Sequence, residues 1–435
     1  QLLWTLLCVI KMRDYYIFKS GRVSRKDNSV MFEYAEDGQD KRVPIPVNDI
    51  DALYLFGEVD LNTKLLNFFS QSNVMVHFFN YYGFYTGTFY PREFLNSGDV
   101  IVKQVASYLK KSARLELAKE FIKGAAYGTI QNLKRYKEKT SEELEKVETY
   151  FADIDKQSTI AQVMGLEGNI KETYYAAFPK IINQDIEFEK RVKNPPNNMM
   201  NALISFVNSM IYTEMLREIY KTQLNPTISY LHEPGYRRFS LSLDIAEIFK
   251  PIYGDRIIFA LLNNNELQKK HFDKDVNYAY LIEEGRKIVV KAIDEKLNTT
   301  IMHKQLKQQV SYRKIMRLEL YKLVKHVLGE SKYQSFRIWW WCMYVIAVYD
   351  ISTIEPAGQR RLAQIMKKMR QYLHHTQKSV FEGEISVAKL MSLQKEAKNI
   401  INEETDYVVF FRIGNKKNVE RECIGIQLDP TDVII

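Results

Sequence analysis

The chain has 435 residues, with 62 Lys and Arg against 53 Asp and Glu, 46% apolar and 26% charged residues, and a formal charge of +9. Those fractions exclude a disordered chain, which carries fewer apolar residues and more charge, and the length implies about two to four domains with ample core. Cys8, Cys342 and Cys423 are too few and too far apart for a disulfide framework or a zinc knuckle, which favours a reducing, cytoplasmic setting.

The run Leu2 to Ile10 is apolar but about half the length that a spanning helix needs. It has no basic residue before it and no small-residue cleavage site after it, so it makes a poor signal peptide, and no membrane association is expected. Lys11-Met12-Arg13 reads as a natural start. Residues 1–11 are therefore an extension, either a remnant of an upstream segment or a packing strand.

Residues 12–96 read as an N-terminal all-β domain. Aromatic and β-branched runs (Tyr15–Phe18, Val30–Tyr34, Ala52–Gly57, Val74–Phe79, Phe84–Tyr90) alternate with turn signals such as Ser20-Gly21 and Asp37-Gly38. Leu61–Ser70 predicts a short helix within it. Residues 97–340 read as a large all-α domain. Apolar positions recur at three and four residues through Val102, Val105, Leu109, Leu115, Leu117, Phe121 and Ile122, and Lys134–Lys146 reads as a solvated helix or linker. Pro195-Pro196 opens a further helix at Asn201.

Three of the four tryptophans, Trp339, Trp340 and Trp341, stand just before Cys342 and Met343. This is either an interfacial aromatic cluster or a junction at 341–342 where one polypeptide ends and another begins. Residues 343–435 then predict a strand (Met343–Tyr349), a helix (Gln359–Leu373), a strand bent at Glu382-Gly383 (Gln377–Ile385), a helix (Val387–Glu403) and strands at Tyr407–Ile413 and Glu422–Leu428. If the Glu-Gly bend is a hairpin turn, this is a ferredoxin-like α+β domain with one further strand. The basic excess lies before the junction. Residues 343–435 carry 13 basic against 12 acidic residues, which leaves a net of +8 on residues 1–342. That excess suits a phosphate-rich partner or a merely solvated face.

Three places in the helical domain combine polar groups with tight punctuation. Glu167 stands between Gly165 and Gly168. Each glycine costs about 1 kcal/mol in a helix, so close backbone approach is expected beside that acid. His232 is displayed by the loop from Leu224-Asn225-Pro226 to Pro234-Gly235. If Ser242 caps the next helix, Asp244 and Glu247 share one face at i and i+3. One imidazole and two or three carboxylates suit Mg2+ or Mn2+, and the imidazole tilts the choice toward Mn2+. Arg237 and Arg238 beside them suit phosphates. Read alone, the histidine is also an ordinary loop residue, and Asp-x-x-Glu in a first helical turn is also dipole chemistry.

Taken together, several motifs decide between these readings. Residues 12–340 resemble CRISPR-associated protein one, the adaptation integrase, of the subtype I-B kind. The resemblance rests on Asp14-Tyr15-Tyr16-Ile17-Phe18 with Ser20-Gly21-Arg22, Gly165-x-Glu167-Gly168, Asn201–Phe206, the Leu224 to His232 loop and Ser242–Pro251. Residues 343–435 resemble CRISPR-associated protein two, through Tyr344–Ser352, Gly358–Leu362, Gln377–Gly383 and Asp429–Asp432.

The first resemblance implies an N-terminal β domain, a helical catalytic domain and metal ligands at Glu167, His232 and Glu247. Asp244 becomes a supporting ligand or orienting group, and Glu247 stands where many relatives have Asp. Arg237, Arg238 and Lys250 are expected on DNA. The second resemblance implies a dimeric scaffold and makes Asp350 a candidate metal acid, although an Asp closing a strand is common in turns. Together they imply spacer acquisition with Mg2+ or Mn2+. The 3′-hydroxyl of a double-stranded donor fragment attacks a phosphodiester at the CRISPR array, with both units dimerising in a higher-order complex. A metal nuclease for branched DNA and a non-catalytic architectural DNA-binding protein remain as alternatives. The joined chain is a natural fusion or a join of two reading frames.

Overall fold

The structure, a computed structural model, describes residues 13–92, 95–192, 195–236, 238–274, 276, 280–303, 306–337, 342–377 and 379–413. The expected extension 1–11, the cluster Trp339–Trp341 and the expected strand Glu422–Leu428 lie outside the described residues. The chain divides into two compact units, residues 1–337 and 338–435.

The first unit begins with β1 (Arg13–Ile17), β2 (Gly21–Lys26), β3 (Ser29–Glu36), β4 (Gln39–Pro46), β5 (Ile50–Leu55), β6 (Val59–Asp60), α1 (Thr63–Gln71), β7 (Met75–Phe79) and β8 (Tyr85–Phe89). They form two four-stranded sheets, β1-β5-β7-β8 and β4-β3-β2-β6. β5 pairs parallel with both β1 and β7. As a central strand covered on both faces it reads as an unbroken apolar run, from Ala52 to Leu55. One face joins a core with Ile17, Val76, Val23, Phe32 and Leu65. β4 escaped the hydrophobic pattern. It is hydrophilic and carries Pro44 and Pro46, which an edge strand tolerates.

The helical part comprises α2 (Gly98–Leu109), α3 (Lys111–Arg135), α4 (Lys137–Asp153), α5 (Ile160–Ala176), α6 (Phe178–Ile181), α7 (Met199–Tyr220), α8 (Ser240–Phe249), α9 (Arg256–Asn263), α10 (Glu283–Asn298) and α11 (Tyr312–Val327). It is not purely helical, because β9 (Thr300–Met302) and β10 (Gln309–Ser311) form an antiparallel hairpin. The stretch expected as a solvated helix or linker spans the end of α3, the break at Tyr136 and the first part of α4, which kinks at Thr140 and buries Leu144. α7 begins at Met199, capped by Asn198, slightly ahead of the expected Asn201. It is buried on nearly every side, as befits the central helix of a large core. α3 packs on α4, α5 and α8, and α7 packs on α8 and α11.

In α2 the apolar periodicity picked out the wrong face. Val102, Val105 and Leu109 are exposed, while Val100 and Gln104 are buried. The second unit has β11 (Cys342–Asp350), α12 (Pro356–Arg370), β12 (His374–Gln377), β13 (Val380–Ser386), α13 (Val387–Ile400) and β14 (Tyr407–Ile413). Its strand order is β12-β13-β11-β14, with every pairing antiparallel. Glu382 and Gly383 are not the hairpin turn. They lie inside β13 opposite Ile346 and Val345, and the connection falls between Gln377 and Val380. Val345, Ala347 and Phe381 of the sheet pack on Ile365, Met369 and Leu393 of the helices. Gly358 is required at the start of α12, because a Cβ there would meet the Ser352 carbonyl oxygen at 1.9 Å.

Candidate functional site

α8 carries two acids in an otherwise apolar, buried helix. Ser242 is not its cap. It lies inside the first turn with its hydroxyl buried and unbonded. Pro251 cannot donate to the helical ladder, and the chain widens there into a π-type turn over Lys250–Asp255.

Asp244 organises the histidine loop. Its Oδ2 accepts from the backbone N–H groups of Tyr230 and Leu231 at 2.6 and 2.9 Å. Its Oδ1 accepts from the N–H of His232 at 3.0 Å and lies 2.8 Å from His232 Nδ1. Both oxygens are taken, which makes Asp244 an orienting group. A carboxylate only accepts, so in the neutral ring Nδ1 donates and Nε2 keeps its lone pair. The His232 side chain is 25% exposed.

The same loop is clamped from behind. Gln104 of α2 donates to the carbonyls of Asn225 and Ile228, both at 3.0 Å, and accepts from the Asn225 N–H at 2.9 Å. Arg114 of α3 donates to the Tyr230 carbonyl at 2.8 Å and to Glu233 at 2.6 Å. Sequence reasoning missed both residues, since each sits more than 100 positions from its partner.

Glu247, one turn after Asp244, faces Glu167 of α5 across a shared cation. Lys171 Nζ bonds Glu167 Oε1 and lies 2.9 Å from Glu247 Oε2. Lys250 Nζ lies 2.6 Å from Glu247 Oε1. Burial alone would raise the Glu247 carboxyl, but the two ammonium groups overcome it and hold the acid well below the usual carboxylate range. Burial would lower Lys171, and Glu247 and Glu167 override that to push it up. Burial and the neighbouring Lys171 lower Lys250, against the pull of Glu247. Lys171 had a legible signal, as the fourth residue after Glu167 on a helix.

Two of the three expected ligands thus share one cation, and the third rests on Asp244, one helical turn away. Among the described residues no three His, Cys, Asp or Glu side chains are already arranged to hold an ion. The donor set nevertheless fits a divalent metal. Two carboxylates are drawn to one positive centre, and the imidazole is oriented through its other nitrogen by a carboxylate, as ligating histidines are.

The remaining expectations fare differently. Lys250, expected on DNA, is committed to Glu247. Arg238 is exposed and donates to the Glu233 carbonyl at 2.8 Å, while Arg237 lies outside the described residues. Among the described residues, no atom outside the helix's own backbone comes within 4 Å of a Cβ built at Gly165 or Gly168 beside Glu167. Asp350 ends β11, exposed, opposite Tyr407.

The family model for CRISPR associated protein Cas1 matches residues 15–295, and that for CRISPR associated protein Cas2 matches 343–421. CRISPR-associated endonuclease Cas1 3 of Thermodesulfovibrio yellowstonii is 52% identical over 329 residues, 76% of this chain and 100% of that protein. The chain belongs to the Cas1 family. It carries a Cas2 domain after the Cas1 domain. CRISPR-associated endonuclease Cas1 of Fusobacterium nucleatum is 47% identical over 331 residues, covering 75% of this chain and 97% of its own. Among solved structures, a Cas1 protein from Thermotoga maritima is similar at a TM-score of 0.67 and 40% identity, over 75% of this chain and 100% of that one. A casposase bound to integration product shares the fold at a TM-score of 0.68 and 19% identity, over 75% of this chain and 93% of its own. Among the described residues no helix is long and apolar enough to cross a membrane.

Proposed function

We propose that this chain is the integrase of CRISPR adaptation, a metal-dependent enzyme that joins the 3′ end of a double-stranded donor fragment to the CRISPR array. Glu167, Glu247 and His232 Nε2 hold Mg2+ or Mn2+. When bound, the ion supplies positive charge to the scissile phosphate and the leaving oxygen. The reading rests on one observation above all: Asp244, whose Oδ1 holds His232 Nδ1, stands one helical turn before Glu247, an acid that shares a cation with Glu167.

The chain's own residues prepare the site. Asp244 fixes the ring and tautomer of His232. Gln104 and Arg114 hold the loop, and Lys250 keeps Glu247 ionised. In strand transfer the donor 3′-hydroxyl attacks phosphorus, and one P–O bond forms as the bond to the acceptor's 3′-oxygen breaks. The attacking hydroxyl gives its proton to solvent and the leaving oxygen takes one back, so no covalent protein intermediate is needed. Affinity comes from Lys and Arg on phosphates, with Arg237 and Arg238 as candidates, and falls with salt. The order β12-β13-β11-β14 supports a ferredoxin-like Cas2 scaffold, which we take to dimerise and, with a Cas1 dimer, to build the adaptation complex in the cytoplasm.

The test uses labelled donor DNA with a free or blocked 3′ end, a supercoiled acceptor and Mn2+. Glu167→Gln and His232→Ala are each expected to lower strand transfer at least about 100-fold while keeping DNA binding. Undiminished transfer by either variant overturns the site. Equal cleavage with a blocked end turns the reading to hydrolysis, and salt-sensitive binding without turnover turns it to an architectural role.

A further inference from the structure

Lys171 has no assigned part in the site, yet it stands where a metal's charge is wanted. It projects from α5 one turn after Glu167 and touches an oxygen of each acid, so that its ammonium joins α5 to α8. Lys250 holds the other oxygen of Glu247, whose side chain is only 5% exposed. Each oxygen of Glu247 therefore meets a side-chain cation. The groups in direct contact are two carboxylates and two ammonium groups, with the buried Asp255 close enough to feel Lys250, Lys171 and Glu247. A dication added among them would lie against Lys171, and like charges at contact distance repel. Lys171 has somewhere to go, because its side chain is 30% exposed and its four-carbon stem is flexible.

We infer that Lys171 is a resident counter-cation that holds Glu167 and Glu247 side by side in the metal-free protein and is displaced when the ion binds. This inference rests on the metal reading above. Lys171 is a positioning residue, since its ammonium touches the two acids and not the reacting atoms. Metal binding is then an exchange of one cation for another, and the α5–α8 contact persists through both states.

The experiment is calorimetric titration of the full chain with Mn2+ alone, paired with thermal melting with and without Mn2+. Lys171→Met keeps the stem and removes the charge. It is expected to melt lower than wild type without metal, to bind Mn2+ about tenfold more tightly, and to gain more from Mn2+ in melting temperature. Lys171→Arg keeps the charge and offers a forked donor, and it is expected to bind Mn2+ more weakly than wild type. Glu167→Gln is the control that abolishes the site. If wild type binds, Glu167→Gln does not, and Lys171→Met binds no more tightly than wild type, the exchange is wrong and the metal site stands. If wild-type binding is absent or indifferent to Glu167→Gln, the metal reading falls and takes the exchange with it. Should Lys171→Met fail to fold, a Lys171→Arg variant that binds as tightly as wild type overturns the exchange by itself.

Discussion

Two charge clusters inside the Cas1 domain differ in their central cations, two arginines in one, with Lys221 at its edge on Asp51, and two lysines in the other. In the first, Arg217 of α7 is fully buried and bonds Asp14 of β1 at 2.9 Å, Glu214 at 3.2 Å and Asp51 of β5. Arg313 of α11 reaches the same Asp14 at 2.6 Å and the same Glu214 at 3.3 Å. In the second, Lys171 and Lys250 hold Glu167 and Glu247. A guanidinium is planar, always charged and able to grip two acids at once. An ammonium is a point charge on a flexible stem. Arginine suits a permanent contact, here between the β-sheet and the helices, and lysine suits the exchange proposed above for Lys171. The buried cluster is also incompletely satisfied, because Asp14 Oδ1 and Arg217 Nε find no hydrogen-bond partner among the described residues. Burial pushes the Asp14 carboxyl up to about 6, against the pull of Arg217 and Arg313.

The largest expected effect comes from breaking the arginine cluster. Arg217→Met removes one of two guanidiniums and leaves the buried acids Asp14 and Glu214 to share Arg313. Removing one partner from a buried ionic group costs up to about 3–5 kcal/mol. Differential scanning calorimetry should show the transition of the Cas1 domain lowered or lost, whether or not Mn2+ is present. A variant that melts like wild type would mean that the two clusters do not differ in kind.

That division of labour was only half legible in the sequence. β1, β3, β5, β7 and β8 announce themselves as aromatic and β-branched runs, because each packs an apolar face. β4 does not, because its pairing with β3, not its composition, makes it a strand. Glu167, His232, Asp244 and Glu247 were all visible as chemistry-bearing types in tight motifs, and the structure pairs them two by two, His232 with Asp244 and Glu167 with Glu247 through Lys171. Gln104 was hidden because the apolar residues around it, Val102 and Val105, point outward and make the buried face of α2 look like the exposed one. Arg114 was hidden because only the fold shows that a cation on α3 supports a loop more than 100 residues away. The bond from Lys250 to Glu247 was not legible either, because a lysine beside a DNA-binding motif reads as a phosphate contact and only the fold shows that it also holds an acid.

A middle-sized effect comes from the Cas2 domain, where arginine again marks a permanent contact. Arg361 Nε lies 2.7 Å from Asp406 Oδ2, and the same carboxylate accepts from the N–H groups of Ser352 and Asn402 at 3.1 and 2.9 Å. The Arg361 hydrogen bond, against mild desolvation, lowers the Asp406 carboxyl from 3.8 to about 2. A depressed acid stabilises the fold above its ordinary value, and the benefit is lost as pH falls through about 4 toward 2. Asp406→Asn should lower the melting temperature of this unit at neutral pH by on the order of 5 °C and flatten that acid limb. A difference from wild type that persists unchanged at pH 2 would assign the loss to packing and not to charge.

The smallest effect has the opposite sign and tests the open side of the lysine cluster. Gly165 and Gly168 flank Glu167 within α5, and a Cβ at either would meet nothing among the described residues beyond its own helix. The described residues therefore give no steric reason for glycine at these positions. Each glycine leaves the unfolded chain more freedom than alanine would, so Gly168→Ala should raise stability by about 0.5–1 kcal/mol, read as a higher melting temperature of the Cas1 domain. The arginine cluster offers no such free gain, since its surroundings are filled by the chain itself. A fall in melting temperature on Gly168→Ala would show that the face beside Glu167 is packed and that Lys171 lacks the open side its displacement requires.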